Sequence, residues 1–252
     1  MSGHSHWAQI RHKKGATDAK RGKLFSKLVK NIMVAARHGG GDPTMNLRLQ
    51  YAVDAAKAAN MPKDTIERAI KKGTGEIAGE SYEEVTYEGY GPGGAALLVE
   101  AMTNNRNRTA SEIRKIFENK GGNLGRSNTV AWMFEVRGVI VVNASKVSED
   151  AVFEAALNAG ADDMVPEDGM FAVTCTPQNF QNVRKALEEK KIPVESAEII
   201  KAPQTYIDIA VEHARRVLDL MAALEDQEDV QNIYSNFNIP AEVLAEIEAK
   251  EE

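Results

Sequence analysis

Between Gly138 and Lys201 the apolar pattern changes period repeatedly. "VIVV" (139–142) reads as a strand, residues 148–159 as a helix and 161–165 as a second strand. A turn at "EDG" leads to the strand "MFAVTCT", a helix over 178–190 and a last strand over 194–201. Strands are read from alternation and β-branched content, helices from apolar recurrence at three and four residues. The resulting order, βαββαβ, is that of the ferredoxin-like split motif. Few other orders of elements restrict a chain so tightly.

The segment before it is also α+β, but it is incomplete. "VTYEGY" and "AALLVEAM" read as strands joined by "GPGG", and Thr109 opens a helix with Glu112 three positions on, a capping-box spacing. "GGNLG" reads as a loop and "TVAWMFEV" as a strand. A second helix and a closing strand are missing. After Pro203 a long amphipathic helix (Ile207, Val211, Ala214, Val217, Leu218, Met221, Leu224) and the strand "VQNIYSNF" can supply both. The expected middle domain is therefore discontinuous, residues 80–137 and 204–239, with 138–203 inserted into it. The tail, 240–252, is acidic.

Upstream, no strand pattern appears. Residues 1–22 are polar and read as a basic flexible arm, and 23–79 as a helical domain. Leu24, Leu28, Ile32 and Ala36, with Phe25, Val29 and Met33, fill one half of a helical wheel. Lys20, Lys23, Lys27, Lys30 and Arg37 form a stripe on the other half. "HGGGDP" ends this helix. A second runs from Pro43 or Leu47 to Asn60, and a third starts near Pro62 and stops at Gly73. The predicted fold class is α+β: a three-helix N-terminal domain and two ferredoxin-like α+β domains, the last inserted into the middle one.

The formal net charge of −6 conceals a division. Residues 1–78 carry 15 Lys/Arg and 6 Asp/Glu, a balance of +9, while residues 79–252 carry 16 and 31, a balance of −15. Such asymmetry points to a polyanion-binding end on an acidic, solubilising body. No apolar run approaches the ~18 residues that span a bilayer, the N-terminus lacks the apolar core of a secretory signal, and one cysteine, Cys175, suits a reducing compartment. A cytoplasmic protein is expected, without membrane partner.

Several motifs are explained without special chemistry. His4 and His6 are too few for a structural zinc site. Loss of Met1 would leave Ser-Gly-His, which can chelate Cu(II) or Ni(II), but any exposed terminus with histidine third shares that property. Gly89, Gly91 and Gly94 match G-x-G-x-x-G, yet the turn opens a strand rather than a helix, so a hairpin is expected in place of a nucleotide site. Cys175 alternates with Phe171 and Val173, which predicts an inert, buried thiol. Trp7 stands alone in the arm, where it can staple to the bundle or stack on a base. "NNRNR" (104–108) sits between a strand end and a helix N-terminus and offers guanidiniums and amides to phosphate or RNA; a polar loop with asparagine turn chemistry explains it equally well. No nucleophile–base arrangement or carboxylate pair stands out, so no catalytic residue, metal, cofactor or small-molecule substrate is expected.

The stretches "GHSHWAQIRHKKGATDAKRGKLFSKL", "AANMPKDTIERAIKKGTG", "YEGYGPGG", "TNNRNRTASEIRKIFENKGGNLG" and "VAWMFE" resemble the YebC/PmpR family, in order and over nearly the whole chain, from about Ser5 to Asn238. The resemblance implies a helical N-terminal domain and two α+β domains around a cleft. It also implies control of gene expression through nucleic acid, by relatives described as transcriptional regulators that bind promoter DNA or by others that act as translation factors at the ribosome. His6 departs from the lysine frequent at that place in the family, and is cationic only when protonated.

Together these readings predict a non-enzymatic, nucleic-acid-binding regulator, a monomer or weak dimer. Arg11, His12, Lys13, Lys14, Lys20, Arg21, Lys23, Lys27 and Lys30 are expected to grip phosphates, with Asn105, Arg106 and Arg108 as a second contact. The target is promoter DNA or, alternatively, ribosomal RNA on the ribosome. A third possibility, an interaction scaffold, predicts no binding to either polymer.

Overall fold

The computed structural model describes residues 18–167, 169–240 and 243, with the side chains of 18–20 and 167 outside the description. The arm residues and nearly all of the acidic tail thus lie outside the described residues. The chain divides into two compact units. Among described residues one comprises 18–129 with Val211–Ile233, and the other Val130–Ala210 with the residues from Tyr234 onward.

The first unit begins with three helices: α1 (Asp18–Gly39), α2 (Leu47–Ala58) and α3 (Lys63–Thr74). Leu28, Ile32, Met33 and Ala36 of α1 are buried with Leu49, Val53 and Ala56 of α2 and Ile66 and Ala69 of α3. The apolar half of the wheel is thus the packed half, except that Leu24, near the start of α1, is 47% exposed. Asn46 caps α2, its side chain accepting from the Leu49 N–H and donating to the carbonyls of Ala35 and Gly40. The third helix does not stop at Gly73. It continues to Thr74 and closes on Gly75, left-handed at φ 83°. Gly73 instead serves packing. A Cβ there would lie 2.4 Å from the Met33 carbonyl and 2.8 Å from the Ala36 Cβ, so its lack of a side chain lets α3 approach α1.

The sheet of this unit has the order β3-β1-β2-β9, from β1 (Glu83–Tyr90), β2 (Ala96–Thr103), β3 (Asn123–Leu124) and β9 (Val230–Ser235). The β1–β2 hairpin turns at 91–95, where Gly93 and Gly94 are both left-handed, at φ 71° and 81°. The G-x-G-x-x-G match is this turn, and β2 follows it directly. The helix α4 runs over Arg106–Asn119 and opens on Asn105, whose side chain accepts from the Arg108 N–H. Thr109 is therefore not the cap expected from the sequence. It lies in the first turn and is fully buried. "GGNLG", expected as loop, contributes β3, paired to Gly89 and Tyr90. Phe117 of α4 is also fully buried, and a Cβ at Gly89 or Gly122 would meet its ring at 2.8 and 3.1 Å. After the second unit the chain returns as α7 (Val211–Asp226) and β9.

The second unit has the order β5-β6-β4-β7, all neighbours antiparallel, from β4 (Phe134–Asn143), β5 (Ala161–Glu167), β6 (Met170–Cys175) and β7 (Val194–Pro203), with α5 (Glu149–Asn158) and α6 (Phe180–Glu189) as crossovers. This is the split βαββαβ arrangement. "TVAWMFEV" and "VIVV" are not two strands: β4 is continuous through residues 137 and 138. Ile140, Val142, Val152, Phe171, Val173, Val183 and Leu187 fill the core around Cys175, which is fully buried with a thiol pKa raised by burial. Ile207 leaves the predicted helix and joins β8 (Ile207–Asp208), which pairs in parallel with β10 (Phe237–Asn238).

Candidate nucleic-acid interface

The lysine stripe of α1 exists, and it is occupied. Lys23, Lys27 and Lys30 follow one another at four and three residues, so they share a face. That face meets the end of α7. The Lys23 Nζ donates to Asp226 Oδ1 at 2.9 Å, Lys27 to the Glu225 carbonyl at 3.1 Å, and Lys30 to the Glu228 carbonyl at 3.0 Å and Asp229 Oδ1 at 2.8 Å. The last carbonyls of a helix have no intrahelical donor and carry its negative pole, so ammonium groups are well placed there.

Asp229 is the centre of the arrangement. Its side chain is only 4% exposed. One oxygen accepts from Lys30, and the other accepts from the Arg108 Nη2 at 2.7 Å and the Thr109 hydroxyl at 2.7 Å. Its backbone N–H donates to the Gln227 side chain and its carbonyl accepts from the Met102 N–H. Burial alone would raise its pKa, but the bonds from Lys30, Thr109 and Arg108 prevail and hold it at about 2. The carboxylate stays charged because each of its oxygens is satisfied. Lys30 is nearly buried as well, with its ammonium 5.3 Å from the centre of the Tyr82 ring. The Tyr82 hydroxyl is pushed up to about 12 by burial and by its bond to Glu80.

The expected contact residues fall into three groups. Arg11, His12, Lys13 and Lys14 lie outside the described residues, as does the side chain of Lys20. Arg21 is exposed on the first turns of α1, its guanidinium 5.5 Å from the centre of the Phe25 ring. Lys23, Lys27, Lys30 and Arg108 are brought together around residues 225–229, where they bond to protein. Arg106 is exposed, with its backbone carbonyl accepting from the Tyr87 hydroxyl, while Asn105 is spent on capping α4. Asn104, beside it, donates to Glu80 at 2.8 Å.

Asp229 and its acidic neighbours were not anticipated, although "EDQED" (225–229) carried a signal. Four carboxylates at a helix C-terminus are locally unfavourable and call for cations from elsewhere in the chain. Among the described residues, no group of three or more His, Cys, Asp or Glu side chains is placed to hold a metal ion, and no helix is long and apolar enough to cross a membrane.

Comparison with known proteins shows the family of the chain. Residues 5–76 match the model of the TACO1/YebC protein N-terminal domain, and residues 82–237 match that of the TACO1/YebC second and third domain. The chain belongs to the TACO1/YebC family. A Syntrophobacter fumaroxidans relative named a probable transcriptional regulatory protein is 58% identical over 98% of this chain and 100% of its own. One from Treponema denticola with the same name is 54% identical over 95% and 97%. The crystal structure of a conserved hypothetical protein from Aquifex aeolicus superimposes with a TM-score of 0.84 at 49% identity, covering 95% of this chain and 99% of that one. The TACO1/YebC models span both of the sequence blocks that supply the lysine stripe and the Arg108 loop.

Proposed function

We propose that this protein is a non-enzymatic, cytoplasmic regulator of gene expression that binds nucleic acid, in the first reading promoter DNA. Its grip is built from Arg11, His12, Lys13, Lys14, Lys20 and Arg21, with Arg106 as a second contact. One observation carries this reading: the basic segment runs directly into an exposed helix end whose other end is anchored. Residues 21–24 are exposed while Ile32, Met33 and Ala36 are buried. Cations on a fixed helix end, aided by the positive pole of the helix, approach phosphates in a defined direction. The regulatory names of the relatives support the same reading.

The experiment is a salt titration of binding to a promoter duplex. Neutralising about six phosphates predicts a slope near −5 for log affinity against log salt. Replacing Lys13, Lys14 and Lys20 by Glu should flatten the slope by about 3. A flat dependence in the parent protein refutes the proposal.

A translation factor bound to ribosomal RNA is the second reading. What favours it is that the α1 lysines face the end of α7, so α1 is not laid out as a groove-reading helix. The remaining cations suit phosphates, which folded RNA presents without requiring base readout. Co-sedimentation with ribosomal subunits, without retention on promoter duplex, distinguishes it.

A further inference from the structure

We propose that residues 225–229 act as an internal polyanion that occupies the α1 lysines, so that nucleic acid gains them only by displacing this run. The inference rests on the nucleic-acid reading above and adds a regulatory contact to it.

Three observations carry it. The first is charge complementarity: Glu225, Asp226, Glu228 and Asp229 place four acids in five residues, and Lys23, Lys27, Lys30 and Arg108 reach this run through the Asp226 and Asp229 carboxylates and the Glu225 and Glu228 main-chain carbonyls. The second is a gradient of burial along the stripe. The Lys23–Asp226 pair is open to solvent, with side chains 47% and 77% exposed, whereas Lys30 and Asp229 are 12% and 4% exposed. Exposed pairs contribute only ~0–1 kcal/mol and exchange readily for another anion. Buried pairs are held, because separating them strands a charge. The stripe therefore releases from its Lys23 end, with Lys30 as the pivot. The third is location. Lys23 lies two residues from Arg21 and three from Lys20, so a polymer bound at the helix start already presents its next phosphates to Lys23. Duplex DNA carries about one charge per 1.7 Å of axis and continues well beyond the length of a run of five residues holding four acids. A continuous polymer therefore competes with the run for Lys23, and in the parent protein the run largely keeps it.

The test uses the full chain and two probes, a promoter-length DNA duplex and a folded ribosomal RNA fragment, each across a salt series. The variant Asp226→Asn/Glu228→Gln alters two exposed side chains and leaves Asp229 in place. It should steepen the salt slope by about 1, since Lys23 loses its carboxylate partner and each lysine gained adds ~0.9 on duplex. The control Glu83→Gln/Glu118→Gln makes the same charge change at exposed positions and should leave the slope unaltered. Lys23→Gln should change the slope little in the parent protein and flatten it by ~0.9 in the Asp226→Asn/Glu228→Gln background. An equal effect of Lys23→Gln in both backgrounds, or equal slopes for the test and control pairs, overturns the internal competitor and leaves the binding proposal standing. If the parent protein binds neither probe, both proposals fall together.

Discussion

Replacing Asp229 by Asn tests the hub directly, because it removes one charge while keeping the backbone bonds to Gln227 and Met102. In the parent protein the carboxylate accepts from two cations and a hydroxyl. Asn keeps one oxygen, and its amide confronts donors. A hydrogen bond to a charged group contributes ~1.5–3 kcal/mol, and Lys30 is left in a site that water scarcely reaches. About 3 kcal/mol should be lost at pH 7. The effect must depend on pH in one direction. The Asp229 pKa is lowered in the folded state to about 2 from an ordinary 3.8. Its ionic contribution is thus complete above pH 3.8 and disappears as the pH falls through about 2. The shift corresponds to about 2 kcal/mol, allowing for screening at the half-exposed Arg108 guanidinium. The parent and the variant should therefore differ by about 3 kcal/mol at neutral pH and by about 1 near pH 2. Because the chain has two units, a single spectroscopic transition would mix them. Pulse hydrogen-exchange labelling along a urea titration, read on peptides from α1 and α7, isolates the relevant one. A difference below about 1 kcal/mol at pH 7, or one that does not change with pH, refutes the assignment of Asp229 as the charged centre of this contact.

Other consequences are simpler to check. Gly73→Ala should destabilise the first unit by ~1–3 kcal/mol or more, since its Cβ must displace the Met33 backbone, and α1 amides should exchange faster. Phe117→Ala should cost ~3–5 kcal/mol, seen as an earlier urea transition of α4 peptides, because the ring is fully buried beneath two glycines. Cys175 should resist a thiol reagent in the native protein and react once urea opens the second unit; fast native labelling would contradict its burial and raised pKa.

Much of the architecture was legible because it is written locally. The βαββαβ order follows from periods of two and 3.6 confined to short windows, and the inserted position of the second unit follows from counting elements that the middle segment lacked. Errors arose where a local signal had two readings. Gly73 and Gly75 both suit a helix end, and the choice is made by how near α1 approaches, which a single helix does not reveal. Thr109 and Asn105 both suit a cap, and Thr109 is instead drawn inward by Asp229, 120 residues away. The wheel placed Lys23, Lys27 and Lys30 of α1 on one face correctly. What that face meets was beyond it, since the partners stand 198 to 203 residues later in the chain.

That separation matters during synthesis. Translation at about 5–20 residues per second takes on the order of 10–40 seconds to produce the intervening chain. Throughout that interval α1 and the first strands have been made while α7 and the closing strand have not. The stripe that ends up paired is therefore made long before its partners, while the chain is still at the ribosome. Completion of the fold and covering of these lysines are one event, reached only when α7 and the acidic run behind it emerge.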